Sequence, residues 1–323
     1  MRAVVQDAYG PPGLLRLANI DRPGIEANDV LVEVRAAGLD RGTSHLLWGK
    51  PYLMRMMGFG FSRPKSPVPG LDVAGTVVAI GSDVTRFVPG DEVFGIARGS
   101  FAQYAAARED KLAHKPASLS FEQAAVVPVS GCTALQALRD SGRVKAGDRV
   151  LIIGASGGVG TYAVQLAKAF GAHVTGVSSS AKLDLVRSIG ADEVIDYTRV
   201  DFADGDHRYD LILDIGGNSR LARLRQALTP TGTLVIVGGE EGGNLTGGID
   251  RQIRALVLSL FVRQRLTMVV GKEHRGDLEV LSRLIEDGLV SPVIDQTYPL
   301  ARVPEAIGYL EAGNVRGKVA ITI

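Results

Sequence analysis

Apolar residues recur along this chain in two rhythms. Up to about residue 120 they form short valine-rich runs, DVLVEVRAAG, DVAGTVVAIG and DEVFGIA, each bounded by turn residues. Runs of that length read as strands of a β-rich unit, a small barrel-like domain. PGD at 89–91 and GSD at 81–83 supply turn chemistry. From about 125 the rhythm changes. FEQAAVVPVSGCTALQALRDSG carries apolar residues at helical spacing and reads as a helix pair joined near Pro128. Beyond it RVLIIG, HVTGVSS, EVIDY, YDLILDI, TLVIVGG and LTMVV read as strands. Between most of them lie the helical segments GTYAVQLAKAFG, AKLDLVRSIG, SRLARLRQAL and RQIRALVLSLF. Alternation of this kind predicts an α/β domain, a doubly wound parallel sheet with helices on both faces. The tail from about 290 returns to a strand, a helix (PEAIGYLEAG) and a final strand, GKVAITI. Those strands belong in the first domain, which is then discontinuous: 1–122 with 290–323, around a parallel-sheet domain at 123–289.

Composition narrows the function classes. The 323 residues suffice for two domains, and 46% hydrophobic against 22% charged gives each a core. Lysine plus arginine total 36 and aspartate plus glutamate 35, so no general electrostatic footprint for nucleic acid or an anionic membrane exists. The single cysteine, Cys132, rules out an internal disulfide framework and every multi-cysteine zinc or iron–sulfur site. A reducing, cytoplasmic compartment fits. MRAVVQDAYG alternates like a first strand and lacks the continuous apolar core of a signal peptide. ALVLSLFV, between Arg254 and Arg263, is too short to span a bilayer. A soluble intracellular protein is expected.

The stretch RVLIIGASGGVGTYAVQLAKAFG is the most informative. Gly154, Gly157 and Gly160 recur at i, i+3, i+6, with Gly158 beside them, after a predicted strand and at the start of a predicted helix. Small residues there let the backbone turn sharply and bring amides against a pyrophosphate at a helix N-terminus. The end of the second strand then bears on which dinucleotide. An NAD site usually places an acid there, whereas this chain has Ser178, Ser179, Ser180 and Lys182 before Asp184. Hydroxyls and an ammonium suit a ribose 2′-phosphate. The competing roles are a helix cap for Ser180 and a solvated charge for Lys182.

GASGGVGTYAVQLAKAFGA, SGCTALQAL, SSSAKLDLVRSIGADEVIDY and NVRGKVAITI together resemble the zinc-independent quinone-oxidoreductase branch of the medium-chain dehydrogenase/reductases, over essentially the whole chain. The resemblance implies a GroES-like catalytic domain made of both chain ends, a Rossmann domain, and NADPH in the cleft. It also implies a homodimer, or a dimer of dimers, joined through Rossmann edge strands. Carried over, the amides of Ser156, Gly157, Gly158 and Val159 would hold the pyrophosphate. Ser179, Lys182 and Tyr197 would surround the 2′-phosphate, and Thr133 would lie near the nicotinamide-side phosphate or ribose. Gly238 and Phe261 would border the nicotinamide, with Asn314 on the far side. Zinc-dependent relatives begin their site with a cysteine and place a His-Glu pair in GHExxG. Here AAGLDRG and PGLDVAG put Asp40, Leu71 and Asp72 at those places, so no metal is expected.

Asp40 stands where this branch commonly has asparagine facing the nicotinamide. It reads either as a pocket carboxylate or as a helix-start residue. His45 and Tyr52 fall near frequent pocket tyrosines and are candidate proton donors or substrate orienters, with structural roles as the alternative. Trp48, Tyr52, Met54, Met56, Met57, Phe59 and Phe61 form an apolar run that reads as a lid over the cleft or as packing on the protein body. The leading expectation is an NADPH-dependent reductase of a quinone or α,β-unsaturated carbonyl, such a small molecule being its partner rather than nucleic acid or a membrane. An NADP-dependent secondary-alcohol dehydrogenase and a non-catalytic NADPH-binding, RNA-associated or structural protein are the alternatives.

Overall fold

A computed structural model describes residues 1–55, 60–205, 207–216, 219–239 and 243–323. The chain divides into two units. Unit one comprises Met1–Cys132, Glu273–Gly288 and Pro292–Ile323, and unit two Thr133–Lys272 with Leu289–Ser291.

Unit one is built on a sheet of seven strands. Its order runs Ile294–Pro299, Lys318–Thr322, Asp29–Leu39, Asp72–Ile80, Glu92–Ile96, Leu112–His114, and Tyr104–Arg108 also pairs with Asp29–Leu39. Lys318–Thr322 lies antiparallel to Asp29–Leu39, with Val319 opposite Leu39. Both chain ends therefore build one sheet, as the tail pattern predicts. Val30, Val32, Val34, Val73, Val77 and Val93 bury their branched side chains in one core. Each such burial contributes roughly 1.5–3 kcal/mol, and β-branched residues suit the pleated surface. The first strand, Arg2–Val5, pairs outside the large sheet with Arg16–Asn19.

In unit two all six predicted strands form one parallel sheet. Its order is Glu193–Asp196, His173–Ser178, Arg149–Ile153, Tyr209–Asp214, Leu228–Ile236, Arg265–Met268. Val150, Leu151, Ile152, Ile212, Leu213, Leu234 and Val235 are fully buried. Covering both faces of a parallel sheet requires such continuous apolar runs. Chain order proceeds outward one way from Arg149–Ile153, then returns and proceeds the other way. That reversal opens a crevice at the carboxyl ends of the strands, the place where this fold binds ligands.

Two assignments differ from the sequence reading, the first being residues 123–132, which fall in unit one. The helix Arg275–Glu286 belongs to unit one rather than to the parallel-sheet domain. Its Leu281 packs over Gly131, its Glu279 pairs with Arg86 at 3.0 Å, and the preceding Glu273 carbonyl accepts from Lys111. Side-chain partners, which periodicity does not encode, decide its home.

Candidate functional site: a dinucleotide loop and a buried acid–lysine pair

At the reversal, strand Arg149–Ile153 runs into Gly154, whose φ of +89° is a conformation that side chains disfavour. A Cβ at Gly160 would stand 2.1 Å from the Gly154 carbonyl, so only glycine lets helix Gly158–Ala169 approach the loop this closely. The amides of Gly158 and Val159, in the first turn, have no intrahelical acceptors and sit at the positive end of the helix dipole. No acid lies in that turn, and Ser156 precedes it, buried. One carried-over role is corrected. The Gly157 amide donates to the Gly154 carbonyl at 3.1 Å, closing the turn, so this glycine shapes the cradle and does not lend it an amide.

Where the sequence leads one to expect the adenosine end, Asp196 lies opposite Ser178 in the parallel register. The Tyr197 amide donates to the Ser178 carbonyl at 3.2 Å, and the Lys182 amide to that of Ser179 at 2.9 Å. Ser179, Lys182 and Tyr197 are thus brought to two neighbouring strand ends, with the Tyr197 ring exposed. Ser180 is not a cap: its hydroxyl donates to Asp196 Oδ2. Asp196 is the residue the sequence reading missed here, although VIDY contains it. Hydrogen bonds from the Ser180 and Thr198 hydroxyls, with Arg199 at 3.5 Å, hold its carboxyl below the usual range. Its charge is thereby engaged by the chain itself.

Beyond the reversal, Gly238 follows strand Leu228–Ile236, and a Cβ there would meet the Ile215 carbonyl at 2.4 Å. Phe261 is not beside it. This residue precedes strand Arg265–Met268, whose Arg265 lies opposite Thr233, so Phe261 sits at the amino edge of the sheet. The glycine loop and Gly238 lie at the carboxyl edge. There the corresponding positions are Val269, whose amide donates to the Ile236 carbonyl at 3.2 Å, and the exposed Val270. Thr133 is half-buried on helix Pro128–Gln136, and Asn314 is exposed between Glu311 and Lys318 in unit one.

In unit one the helix Arg41–Trp48 starts at Asp40, whose Oδ1 accepts from the Thr43 amide at 2.8 Å and hydroxyl at 3.2 Å. Of the two readings of Asp40, helix start is the observed one. Its Oδ2 is buried with no hydrogen-bond partner among the described residues. His45 lies exposed in the last turn of the same helix. Tyr52, also exposed, faces the Arg55 guanidinium at 4.9 Å, and Tyr9 faces it at 4.3 Å. Trp48 Nε1 and Ser44 Oγ both donate to Glu311 Oε1, at 2.7 and 2.6 Å, fastening the helix to the protein body. Of the apolar run, Phe61 is exposed, while Met56, Met57 and Phe59 lie outside the described residues, as does the Met54 side chain.

Asp72, at a zinc relative's glutamate position, is wholly buried and already committed. Its Oδ1 accepts from the Val129 amide at 2.9 Å, and its Oδ2 faces Lys318 Nζ at 3.4 Å. Lys318 also donates to Ser130 Oγ at 3.0 Å. Burial pushes the Asp72 carboxyl up to about 7 against the pull of Lys318, with the Asp40 charge adding to the rise.

Known proteins resemble this chain in sequence and fold over its whole length. The alcohol dehydrogenase GroES-like domain model matches residues 26–117, and the model described as zinc-binding dehydrogenase matches 189–321. The chain is 35% identical to the NADPH-dependent alkenal/one oxidoreductase, chloroplastic, of Arabidopsis thaliana, over 99% of this chain and 79% of that protein. The quinone oxidoreductase from Coxiella burnetii superposes with a TM-score of 0.88 at 30% identity, covering 100% of this chain and 99% of that one. The Escherichia coli quinone oxidoreductase complexed with NADPH gives 0.84 at 26% identity, covering 100% of both chains.

Proposed function

Since this chain belongs to the medium-chain dehydrogenase/reductases, in their quinone-oxidoreductase branch, we propose that it is an NADPH-dependent oxidoreductase delivering hydride to a quinone or an α,β-unsaturated carbonyl. One observation carries the reading: a glycine loop at the strand-order reversal, next to a second strand that ends in serines and is followed by Lys182. The residues fit the cofactor. The loop conformation requires glycine at 154, the helix turn behind it is free of acids, and the neighbouring acid Asp196 is engaged by its own hydroxyls and Arg199.

NADPH, when bound, supplies a hydride from its nicotinamide ring. The amides of Ser156, Gly158 and Val159 hold its pyrophosphate, with Gly157 shaping the turn. Ser179, Lys182 and Tyr197 hold the 2′-phosphate. Gly238 and the Val269–Val270 segment border the nicotinamide end, with Thr133 toward the adjacent ribose or phosphate. His45 and Tyr52 offer hydrogen-bond donors that orient the acceptor. A conjugated acceptor takes hydride at carbon and spreads charge onto its own oxygen, so such donors suffice without a Lewis acid. The zinc-free part of the proposal is supported by Leu71, which cannot ligate, and by Asp72, which is held by Lys318 and Val129. The expected result is NADPH oxidation by quinones and enones at rates a chelator leaves unchanged. Stoichiometric zinc with activity lost on chelation, or turnover of simple secondary alcohols alone, would overturn it.

A second copy of the chain is the proposed partner. Helix Ile249–Ser259 and the residues after it expose Ile253, Leu256, Val257, Leu260 and Phe261, the last two at 81% and 80%. Beside them Arg265–Met268 is an edge strand, paired on one side only among the described residues. An apolar patch next to an open edge invites augmentation by an identical edge. Phe261, displaced from the nicotinamide, finds its role here. Leu260→Asp with Phe261→Asp is expected to convert a dimer, or dimer of dimers, into monomers in sedimentation velocity. A wild-type protein that is monomeric at micromolar concentration would refute the interface. The single buried Cys132 supports a cytoplasmic, reducing setting for the same enzyme.

A further inference from the structure

Besides its apolar face, helix Ile249–Ser259 carries Arg251 in its first turn, at the carboxyl edge of the parallel sheet. Arg251 Nη2 donates to Asp214 Oδ2 and, at 2.7 Å, to the Ser219 carbonyl. Asp214 ends strand Tyr209–Asp214 and is wholly buried. Its carbonyl accepts from the amides of Val237 and Gly238, at 3.0 and 3.4 Å. A carboxylate shut away from water needs a partner cation, and Arg251 provides it. Yet a single nitrogen makes both of those bonds. Nε and Nη1 are buried and have no partner among the described residues. A guanidinium only donates, so what is missing is an oxygen acceptor.

We infer that Arg251 is a cofactor-binding residue, its Nε and Nη1 hydrogens met by an oxygen of the nicotinamide mononucleotide half of NADPH. The inference rests on the NADPH reading above and adds to it a residue outside the glycine loop and the serine-ended strand. Position selects the half. Ser178 and Asp196, at the adenosine end, lie on one side of the reversal, whereas Asp214 and Gly238 lie on the other. In a doubly wound sheet the two halves of a dinucleotide occupy those opposite sides. Charge selects the kind of oxygen. Asp214 and Arg251 neutralise each other, and on the same helix Asp250 and Arg254 pair with one another at 3.3 Å. Without a net positive field the site favours a carboxamide or ribose oxygen over a phosphate. The ion pair also fixes the guanidinium in advance, so little ordering remains for binding to impose.

Binding of NADPH and of adenosine 2′,5′-bisphosphate, which lacks the nicotinamide half, separates the outcomes without any turnover. By titration calorimetry, Arg251→Lys is expected to weaken NADPH about tenfold or more and to leave the bisphosphate within roughly twofold, the size of one charge-assisted hydrogen bond. Equal weakening of both ligands would show a purely structural arginine and overturn the inference. So would unchanged affinity for both. Should lysine not support the fold, Arg251→Gln with Asp214→Asn removes both buried charges together and carries the same comparison. A wild-type protein that binds neither ligand would overturn the NADPH reading itself, and this inference with it.

Discussion

Lys318→Met is expected to destabilise the protein by about 3–5 kcal/mol at pH 8, the usual consequence of removing one member of a buried ion pair. Lys318 and Asp72 have side chains 1% and 0% exposed, so water cannot replace the lost partner. The loss should shrink at pH 5. Burial raises the Asp72 carboxyl to about 7 in the folded protein, against about 3.9 in an unfolded chain. The native state therefore binds this proton more tightly than the unfolded state does. That contribution to stability is fully present below about pH 4 and disappears as pH rises through about 7. Removing Lys318 removes a charge that favours ionised Asp72, so the carboxyl stays protonated to still higher pH. The loss at pH 5 is therefore smaller by up to about 1.4 kcal/mol, the cost of keeping the proton on Asp72 from about pH 7 to pH 8. Adding Asp72→Asn to Lys318→Met should recover stability at pH 8, because no carboxyl then has to take up a proton on folding. Urea unfolding of the three proteins at both pH values checks this. A loss of the same size at pH 5 and 8, with no recovery in the double variant, would mean that packing rather than charge dominates here.

What the sequence reveals of this fold is whatever repeats locally. Parallel strands buried on both faces must be continuous apolar runs, so RVLIIG and YDLILDI are legible as strands. Their alternation with helices predicts a doubly wound sheet. The GKVAITI strand pairs with Asp29–Leu39, and the tail pattern anticipates that return. Lys318 in that strand is legible only as a polar residue in an apolar run. Its partners Asp72 and Ser130 lie 246 and 188 residues away, and no periodicity couples such distances. Phe261 is a different kind of miss. Residues just before a parallel strand lie at its amino edge, so chain order alone could have removed Phe261 from the nicotinamide. The Gly157 amide could not have been read off in that way, because a glycine pattern does not say which amides the turn itself engages. Asp196 shows the limit of judging specificity from one strand end. The acid absent after His173–Ser178 is present on the neighbouring strand, already held by Ser180 and Thr198.

Asp196 also sharpens the expected cofactor preference, which should be strongly for NADPH over NADH. On the proposed reading a ribose 2′-phosphate at these strand ends would meet Ser179, Lys182 and the Tyr197 hydroxyl, while the Asp196 carboxylate beside them is directed at its own donors. A charge-assisted hydrogen bond contributes roughly 1.5–3 kcal/mol, or about one to two orders of magnitude in affinity. Lys182→Ala is therefore expected to raise the KM for NADPH by about that factor, with a smaller effect on kcat. The turnover step proceeds at the other end of the dinucleotide and does not need this ammonium. NADH has no phosphate to lose contact with, so its kcat/KM should change little, and the gap between cofactors should narrow from the NADPH side. Ser179→Asp should go further, because an added carboxylate repels the phosphate and accepts from the ribose hydroxyls of NADH. Replacing Ser180 by alanine acts in the same direction through a different route. It leaves Asp196 short of one donor, so its charge turns more toward the phosphate and weakens NADPH. The deciding measurement is the ratio of kcat/KM for NADPH and NADH in the wild type and in Lys182→Ala. Equal use of both cofactors by the wild-type enzyme would refute this account, and an unchanged ratio in Lys182→Ala would remove the lysine from it.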